Sequence, residues 1–94
     1  MIRNLVQEHV ASHFARLKAR FPTFHGCALC DADVQVFALN RLPPRYVATT
    51  GGGMLTAVEL ELGQVGTDID VMLLEGFRKV AQTPRCGAAP TTLP

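Results

Sequence analysis

Three stretches of the chain carry hydrophobic residues at the three-to-four-residue spacing of an amphipathic helix. The first covers residues 2–21, places most of its charged side chains elsewhere on the helical wheel, and is stopped by Pro22. This pattern predicts a long first helix with one buried face. Its apolar positions are Ile2, Leu5, Val6, Val10, Phe14, Leu17 and Phe21.

The second helical stretch follows Asp31 and Asp33, whose carboxylates favour a helix start through capping and the helix dipole. It ends at Pro43 and Pro44, because proline cannot donate a backbone hydrogen bond and the residue before it avoids helical angles. The pattern predicts a second helix with a buried stripe made of Val34, Phe37, Ala38 and Leu42.

The third stretch, residues 69–82, opens at a shortened capping box from Thr67 to Asp70 and closes at Pro84. Its predicted inward positions are Ile69, Met72, Leu73, Phe77 and Val80. Residues 54–62 are ambiguous, since they suit either a short strand around 57–62 or one or two helical turns. We therefore expect a mainly α fold, a small helical domain with three main helices.

Length and composition limit the number of domains and the kinds of partner that this protein can have. Ninety-four residues make one domain, which we place at 1–86 with a flexible tail at 87–94, and a domain of this size buries only about 60–65% of its unfolded surface. A net charge of +1 and a pI near 7.8 give no broad basic face for duplex nucleic acid. The chain shows no signal peptide and no membrane-spanning run, so we expect a cytoplasmic protein without a membrane partner.

Four soft donors suggest a metal site. His25, Cys27 and Cys30 stand together, and Cys86 is the chain's one other cysteine. Thiolates and imidazole are the ligands that zinc prefers, so the set predicts a structural Cys3His zinc centre, a knuckle between helices 1 and 2 that Cys86 joins. The alternative is an unliganded Cys-x-x-Cys pair with a separate tail thiol, and His25 is the least certain ligand.

Other combinations of reactive residues are less informative. His9 and His13 lie one helical turn apart, a spacing that can bind metal, but no carboxylate pattern such as HExxH surrounds them and we interpret them as surface residues. The CALC motif follows a helix, whereas a thioredoxin-like redox pair follows a strand. No catalytic triad or phosphate-binding loop is recognisable, so we do not expect an enzyme.

The segment ALNRLPPRYVATTGGG combines arginines, a tyrosine, hydroxyls and glycines around a double proline. Such residues suit an anionic or nucleotide ligand, because guanidinium binds phosphate and tyrosine stacks on bases. The plain alternative is an interhelical turn whose arginines point to solvent. Composition alone does not decide between the two.

The run CALCDADVQVFALNRLPPRYV resembles the signature of the late competence protein ComFB family, a cysteine knuckle followed by D-V-x-A-x-A-L-N-x-[LV]-x-P-x-Y-V. The similarity extends from the first helix to Thr83–Cys86. The matching positions are Asp33, Val34, Ala38, Leu39, Asn40, Pro44, Tyr46 and Val47, while Phe37 and His25 stand where relatives often have other residues.

The resemblance implies a small helical homodimer with zinc on His25, Cys27, Cys30 and Cys86. Cyanobacterial members that are similar in the ALNRLPP segment act as receptors for cyclic dinucleotides. By match of residues, the expected ligand would be c-di-GMP or c-di-AMP, and signalling would require a protein partner of unknown identity. The candidate ligand contacts are Asp33, Arg41, Tyr46, Thr49 and Thr50.

Overall fold

The computed structural model describes residues 2–48 and 64–93, and helices dominate that part of the chain. The mainly α fold predicted from the sequence is confirmed. Two three-residue strands add a small antiparallel ribbon. In chain order the elements are β1 (Ile2–Asn4), α1 (Leu5–Lys18), α2 (Ala28–Leu39), β2 (Tyr46–Ala48) and α3 (Gln64–Gln82). The strand expected around residues 57–62 lies outside the described residues.

The hydrophobic core forms where α1 and α2 pack against α3. Its centre is Phe77 on α3, whose ring lies 5.2, 5.1 and 5.0 Å, centroid to centroid, from those of Phe14, Phe21 and Phe24. Aromatic rings at such distances add favourable edge and stacking contacts to the burial of their area. The predicted inward positions of α3 are buried, except for Met72, which is half-buried.

Gly76 allows α2 and α3 to approach closely. A Cβ at this position would lie 3.1 Å from the backbone oxygen of Val34 and 3.2 Å from Cδ1 of Phe37, both on α2. These distances are shorter than ordinary van der Waals contact, so any side chain there would push α2 away from α3. The sequence around Gly76 gives no hint of this contact, which depends on how the two helices are aligned.

The first helix begins at Leu5 and not at Ile2, as the periodicity had predicted, because residues 2–4 form β1. In the ribbon, Ile2 pairs with Ala48 and Asn4 with Tyr46. Asn4 then caps α1, since its side-chain oxygen accepts a hydrogen bond from the amide of Val6 at 3.2 Å. The helix also ends early, at Lys18, and Phe21 is buried from the turn that follows.

The same Asn4 oxygen ties the two strands of the ribbon together through the chain that precedes β2. It accepts a second hydrogen bond, from the amide of Arg45 at 3.0 Å, and the amide of Leu5 donates to the Arg45 carbonyl at 2.8 Å. One side chain therefore ends β1, starts α1 and anchors the segment that leads into β2.

Two other helix starts differ from the sequence prediction. Helix α2 begins at Ala28, ahead of the expected start at Asp31, because Cys27 acts as its N-cap. Helix α3 extends back to Gln64. Thr67, predicted to be a capping residue, therefore lies within the helix. Packing of the buried Ile69 on the core outweighs the weak local preference of threonine for a helix end.

The segment after α3 turns back along the domain. The sequence predicts a flexible tail at 87–94, and its described part, residues 87–93, is tied down at two points. The amide of Thr91 donates to the carbonyl of Ala81 at 2.8 Å, and Leu93 is buried in the core.

Within the described ranges, no helix combines the length and apolar character needed to cross a bilayer.

Candidate metal centre

Two cysteines lie at the N-terminus of α2. Cys27 is the N-cap, and its sulfur accepts a hydrogen bond from the amide of Cys30 at 3.4 Å, so a sulfur takes the place of the usual Ser or Asp oxygen. This hydrogen bond lowers the pKa of the Cys27 thiol to about 7. Burial raises the pKa of the Cys30 thiol to about 12. A cation beside Cys30 would favour its thiolate form.

The loop ahead of α2 is shaped by Gly26. Its φ of +71° lies in the left-handed region that favours glycine, and a Cβ there would lie 3.2 Å from Cε of Lys18. The Lys18 ammonium in turn binds the carboxylate of Asp31 at 2.7 Å. The last turn of α1 and the first turn of α2 thus fix the backbone between His25 and Cys27.

The C-terminal cysteine is brought to the same place by an ion pair. Arg85 donates two hydrogen bonds to the Asp33 carboxylate on α2, from Nε at 3.1 Å and from Nη2 at 2.8 Å. These hydrogen bonds lower the pKa of the Asp33 carboxyl. The next residue, Cys86, has its sulfur 3.4 Å from that of the fully buried Cys30. The ion pair therefore holds the segment that carries the fourth donor.

Three of the four predicted donors form one group, and the fourth contacts one of them. The ligand atoms of His25, Cys27 and Cys86 all lie within 4.8 Å of one another, and Cys30 contacts Cys86. Zinc–sulfur bonds of about 2.3 Å at tetrahedral angles place two sulfurs about 3.8 Å apart. A disulfide would need a sulfur–sulfur distance of about 2.05 Å. The observed 3.4 Å between Cys30 and Cys86 fits neighbouring ligands of one ion better than a covalent bond.

The chemistry of these donors fits zinc. Three thiolates and one imidazole would supply four bonds, enough to fill a tetrahedral shell with no position left for water or substrate. A filled shell is typical of structural sites, whereas catalytic zinc keeps one position open. The structure groups three of the predicted ligands, His25, Cys27 and Cys86, and the fourth, Cys30, contacts Cys86. Zinc as the metal stays a prediction.

Two of the predicted nucleotide contacts already have partners within the chain. Asp33, expected near a guanine edge, is bound to Arg85. The guanidinium carbon of Arg41 lies 3.6 Å from the ring centroid of Phe37, and its Nη1 donates to the Phe37 carbonyl at 3.0 Å. Arg41 nevertheless remains exposed at the C-terminal end of α2.

The other predicted contacts follow α2 along the chain. Tyr46 is on β2 and is 66% exposed. Thr49 and Thr50 lie outside the described residues. The described ranges of a single chain enclose no cavity, so Arg41 and Tyr46 offer a surface for a ligand there and not a pocket.

Sequence reasoning missed the polar side-chain contacts that join α1 to α3 and α2 to the segment after α3. His13, interpreted as a surface residue, is half-buried, and its Nδ1 lies 2.7 Å from Oδ1 of Asp70 on α3. Arg16 donates to the same carboxylate at 2.9 Å. Neither this cluster nor the Asp33–Arg85 pair has a sequence signature, because each joins residues far apart in the chain.

Comparison with known proteins identifies the family. Residues 2–84 match the sequence profile of the family described as late competence development protein ComFB. The solved structure of the late competence protein ComFB from Bacillus subtilis has a similar fold, with a TM-score of 0.81 and 24% identity over 97% of this chain and 100% of that one. No curated protein sequence matches significantly. Because the profile covers most of its length, this chain belongs to the late competence development protein ComFB family.

Proposed function

We propose that this chain is a non-catalytic regulatory protein that works as a homodimer, with a structural Zn²⁺ on His25, Cys27, Cys30 and Cys86. In this proposal it binds a cyclic dinucleotide, c-di-GMP or c-di-AMP, and passes the signal to a protein partner. Three thiols that serve as metal ligands require a reducing compartment, which supports a cytoplasmic location. Membership of a family named for late competence development is compatible with such a regulatory role.

The observation that carries the proposal is that zinc-type donors from two distant parts of the chain lie together. His25, Cys27 and Cys86 form one group, and Cys30 contacts Cys86. A metal there would join the start of α2 to the segment after α3. Structural zinc contributes on the order of 10–16 kcal/mol in small peptides, while the cost of closing a loop rises only with the logarithm of its length. The four-donor shell also supports a non-catalytic role, because it leaves no open coordination position.

The nucleotide part of the proposal is supported by the end of α2. The exposed Arg41 guanidinium lies over the Phe37 ring, which restricts its rotation, and a guanidinium suits a phosphate or a base. Tyr46 is exposed a few residues later and offers an aromatic ring for stacking. One chain has few cations here, but a two-fold axis would supply the same residues twice to a symmetric ligand.

A second candidate function is a zinc-stapled adaptor of competence type without a nucleotide ligand. It is favoured by the partners that Asp33 and Arg41 already have, since an incoming nucleotide would have to compete with Arg85 and with the Phe37 carbonyl. In that case, the segment between α2 and β2 would only shape a surface for a protein partner.

Isothermal titration of the zinc-replete protein with c-di-GMP and c-di-AMP separates the two candidates, with metal content measured on the same sample. The proposal predicts saturable binding at about one ligand per dimer for one of them, and loss of that binding in Arg41→Ala. Arg20→Ala, which removes an exposed arginine from the turn after α1, is the matched control and should bind normally. Absence of heat with both ligands would favour the adaptor.

A further inference from the structure

Cys30 and Cys86 are in contact but differ in burial, a difference that a structural metal site does not need. The two sulfurs lie 3.4 Å apart, yet one thiol is fully buried and the other is exposed. Cys86 also lies in the irregular segment after α3, followed by Gly87 with a φ of +88°. An exposed sulfur on a non-helical segment therefore stands beside a buried sulfur on a rigid helix.

We propose that Cys30 and Cys86 form an oxidative cross-linking site, at which a hydroperoxide converts the two thiolates into a disulfide and expels the metal. This inference rests on the proposed metal centre for its metal-release step, whereas the cross-link itself requires only the two thiols. Before oxidation, the metal links α2 to the C-terminal segment. After oxidation, the Cys30–Cys86 disulfide links the same two segments.

The reaction balances with hydrogen peroxide as the oxidant. The exposed Cys86 thiolate attacks one peroxide oxygen, so that an S–O bond forms, the O–O bond breaks and hydroxide leaves. The Cys30 thiolate then attacks the Cys86 sulfur, forming the S–S bond and expelling a second hydroxide from the sulfenic acid. The two sulfurs give up two electrons, the peroxide takes them, and both hydroxides are protonated to water.

Position favours this pair over the neighbouring Cys27. Only Cys86 needs to meet the oxidant, and the buried Cys30 reacts with a sulfur already in contact. Closing the gap to a disulfide of about 2.05 Å requires a movement of about 1.3 Å, which the segment around Cys86 can supply because it is outside any helix. The Cys27 sulfur, in contrast, is held at the N-cap by the amide of Cys30.

The metal cannot stay once the disulfide has formed. Two of its four ligands are then bonded to each other, and His25 and Cys27 alone do not complete a tetrahedral site. Metal release and retention of the fold should therefore occur together, because the C-terminal segment remains attached to α2. A Cys27–Cys30 disulfide would have the opposite effect, since it would release the metal and leave that segment unattached.

The test uses the full chain loaded with zinc and titrated with hydrogen peroxide in the presence of a chromophoric chelator. We expect one zinc to appear for each peroxide consumed, two of the three thiols to disappear, and dithiothreitol to restore them. Trypsin cuts after Arg20, Arg41 and Arg85, so mass spectrometry should find peptide 21–41 linked to peptide 86–94, with Cys27 alkylated.

A disulfide within peptide 21–41, a sulfinic acid on Cys86 without a cross-link, or zinc that stays bound after two thiols are lost would each overturn the inference. These outcomes differ from failure of the proposed function. A purified protein without stoichiometric metal contradicts the proposed zinc centre, yet its peptide map still decides whether Cys30 and Cys86 become linked.

Discussion

The two ends of helices α1 and α2 are built in different ways. At one end, the last turn of α1 and the first turn of α2 meet the Cys86 segment in a cluster of thiols and ion pairs. At the other end, the ribbon of β1 and β2 has short strands, and its Ile2 and Tyr46 are largely exposed. Ion pairs and contacting thiols join the elements at the first end, while backbone hydrogen bonds and one asparagine hold the second.

Under the proposed function, this difference separates the part of the molecule that a metal would stabilise from the part that would meet a partner. A two-stranded ribbon is marginally stable by itself in water, so the ribbon depends on the helices behind it. The metal end, in contrast, contains the donors whose loss should affect the whole domain. Substitutions at matched positions of the two ends should therefore have very different effects.

The largest effect is expected from loss of a metal ligand. Cys30→Ser should remove most of the folding stability, because structural zinc contributes on the order of 10–16 kcal/mol and whole domains have a free energy of unfolding of about 5–15 kcal/mol. Thermal unfolding followed by circular dichroism, with and without chelator, measures this. Ile2→Ser at the exposed end of the ribbon is the control and should leave the melting curve unchanged. A wild-type curve that does not move in excess chelator would contradict the zinc centre.

The next effect concerns the ion pair beside the metal. Asp33→Asn should weaken metal binding about 10- to 100-fold, because Arg85 would no longer fix the segment that carries Cys86. Competition with a chromophoric chelator measures the affinity. Glu8→Gln is the matched control, since Glu8 accepts two hydrogen bonds from Arg3 at the ribbon end. Equal metal affinities of the two variants would show that the Asp33–Arg85 pair does not position Cys86.

A smaller loss of stability is expected at the ribbon. Asn4→Ala removes the N-cap of α1 and an acceptor for the amide of Arg45, and the loss of such a cap costs about 1 kcal/mol. For a domain of this size, the melting temperature should fall by about 4–8 °C. Gln7→Ala, on the exposed side of α1, should change it little. Metal affinity should stay the same in both variants, and a parallel loss of metal would show that the two ends are coupled.

The smallest effect is a pH dependence at the exposed ion pair of the ribbon end. Hydrogen bonds from Arg3 lower the pKa of the Glu8 carboxyl in the folded protein. The stabilisation from this pair is thus fully present above the unfolded pKa of about 4.3 and is lost as the pH falls through the lower folded value. The difference in melting temperature between wild type and Glu8→Gln should vanish in that range, and a difference that persists in strong acid would contradict the assignment.

Periodicity predicted the three helices because each has a buried face that repeats every three to four residues. It failed at their starts. Residues 2–4 are too few to show a strand pattern, and the β2 residues that pair with them lie far along the chain. The early start of α2 was missed because cysteine is not among the usual N-cap residues.

The grouping of His25, Cys27 and Cys86 could be predicted from residue type, since few other roles bring three cysteines and a nearby histidine into so short a chain. Metal binding by these residues stays a prediction. The supporting contacts were not predictable. The Asp33–Arg85 pair depends on where α3 ends relative to α2, and the contact of Arg41 with Phe37 depends on a side-chain conformation at the last turn of α2. Neither leaves a periodic signal in the sequence.

The position of Tyr46 has a practical consequence. The chain has no tryptophan and no second tyrosine, so its intrinsic fluorescence comes from one ring on the exposed side of β2. Emission from that ring reports on the ribbon and on any ligand or protein that covers it. Cobalt in place of zinc would give the thiolate cluster a visible absorption band of its own. The two ends of the molecule can therefore be observed separately in one unlabelled sample.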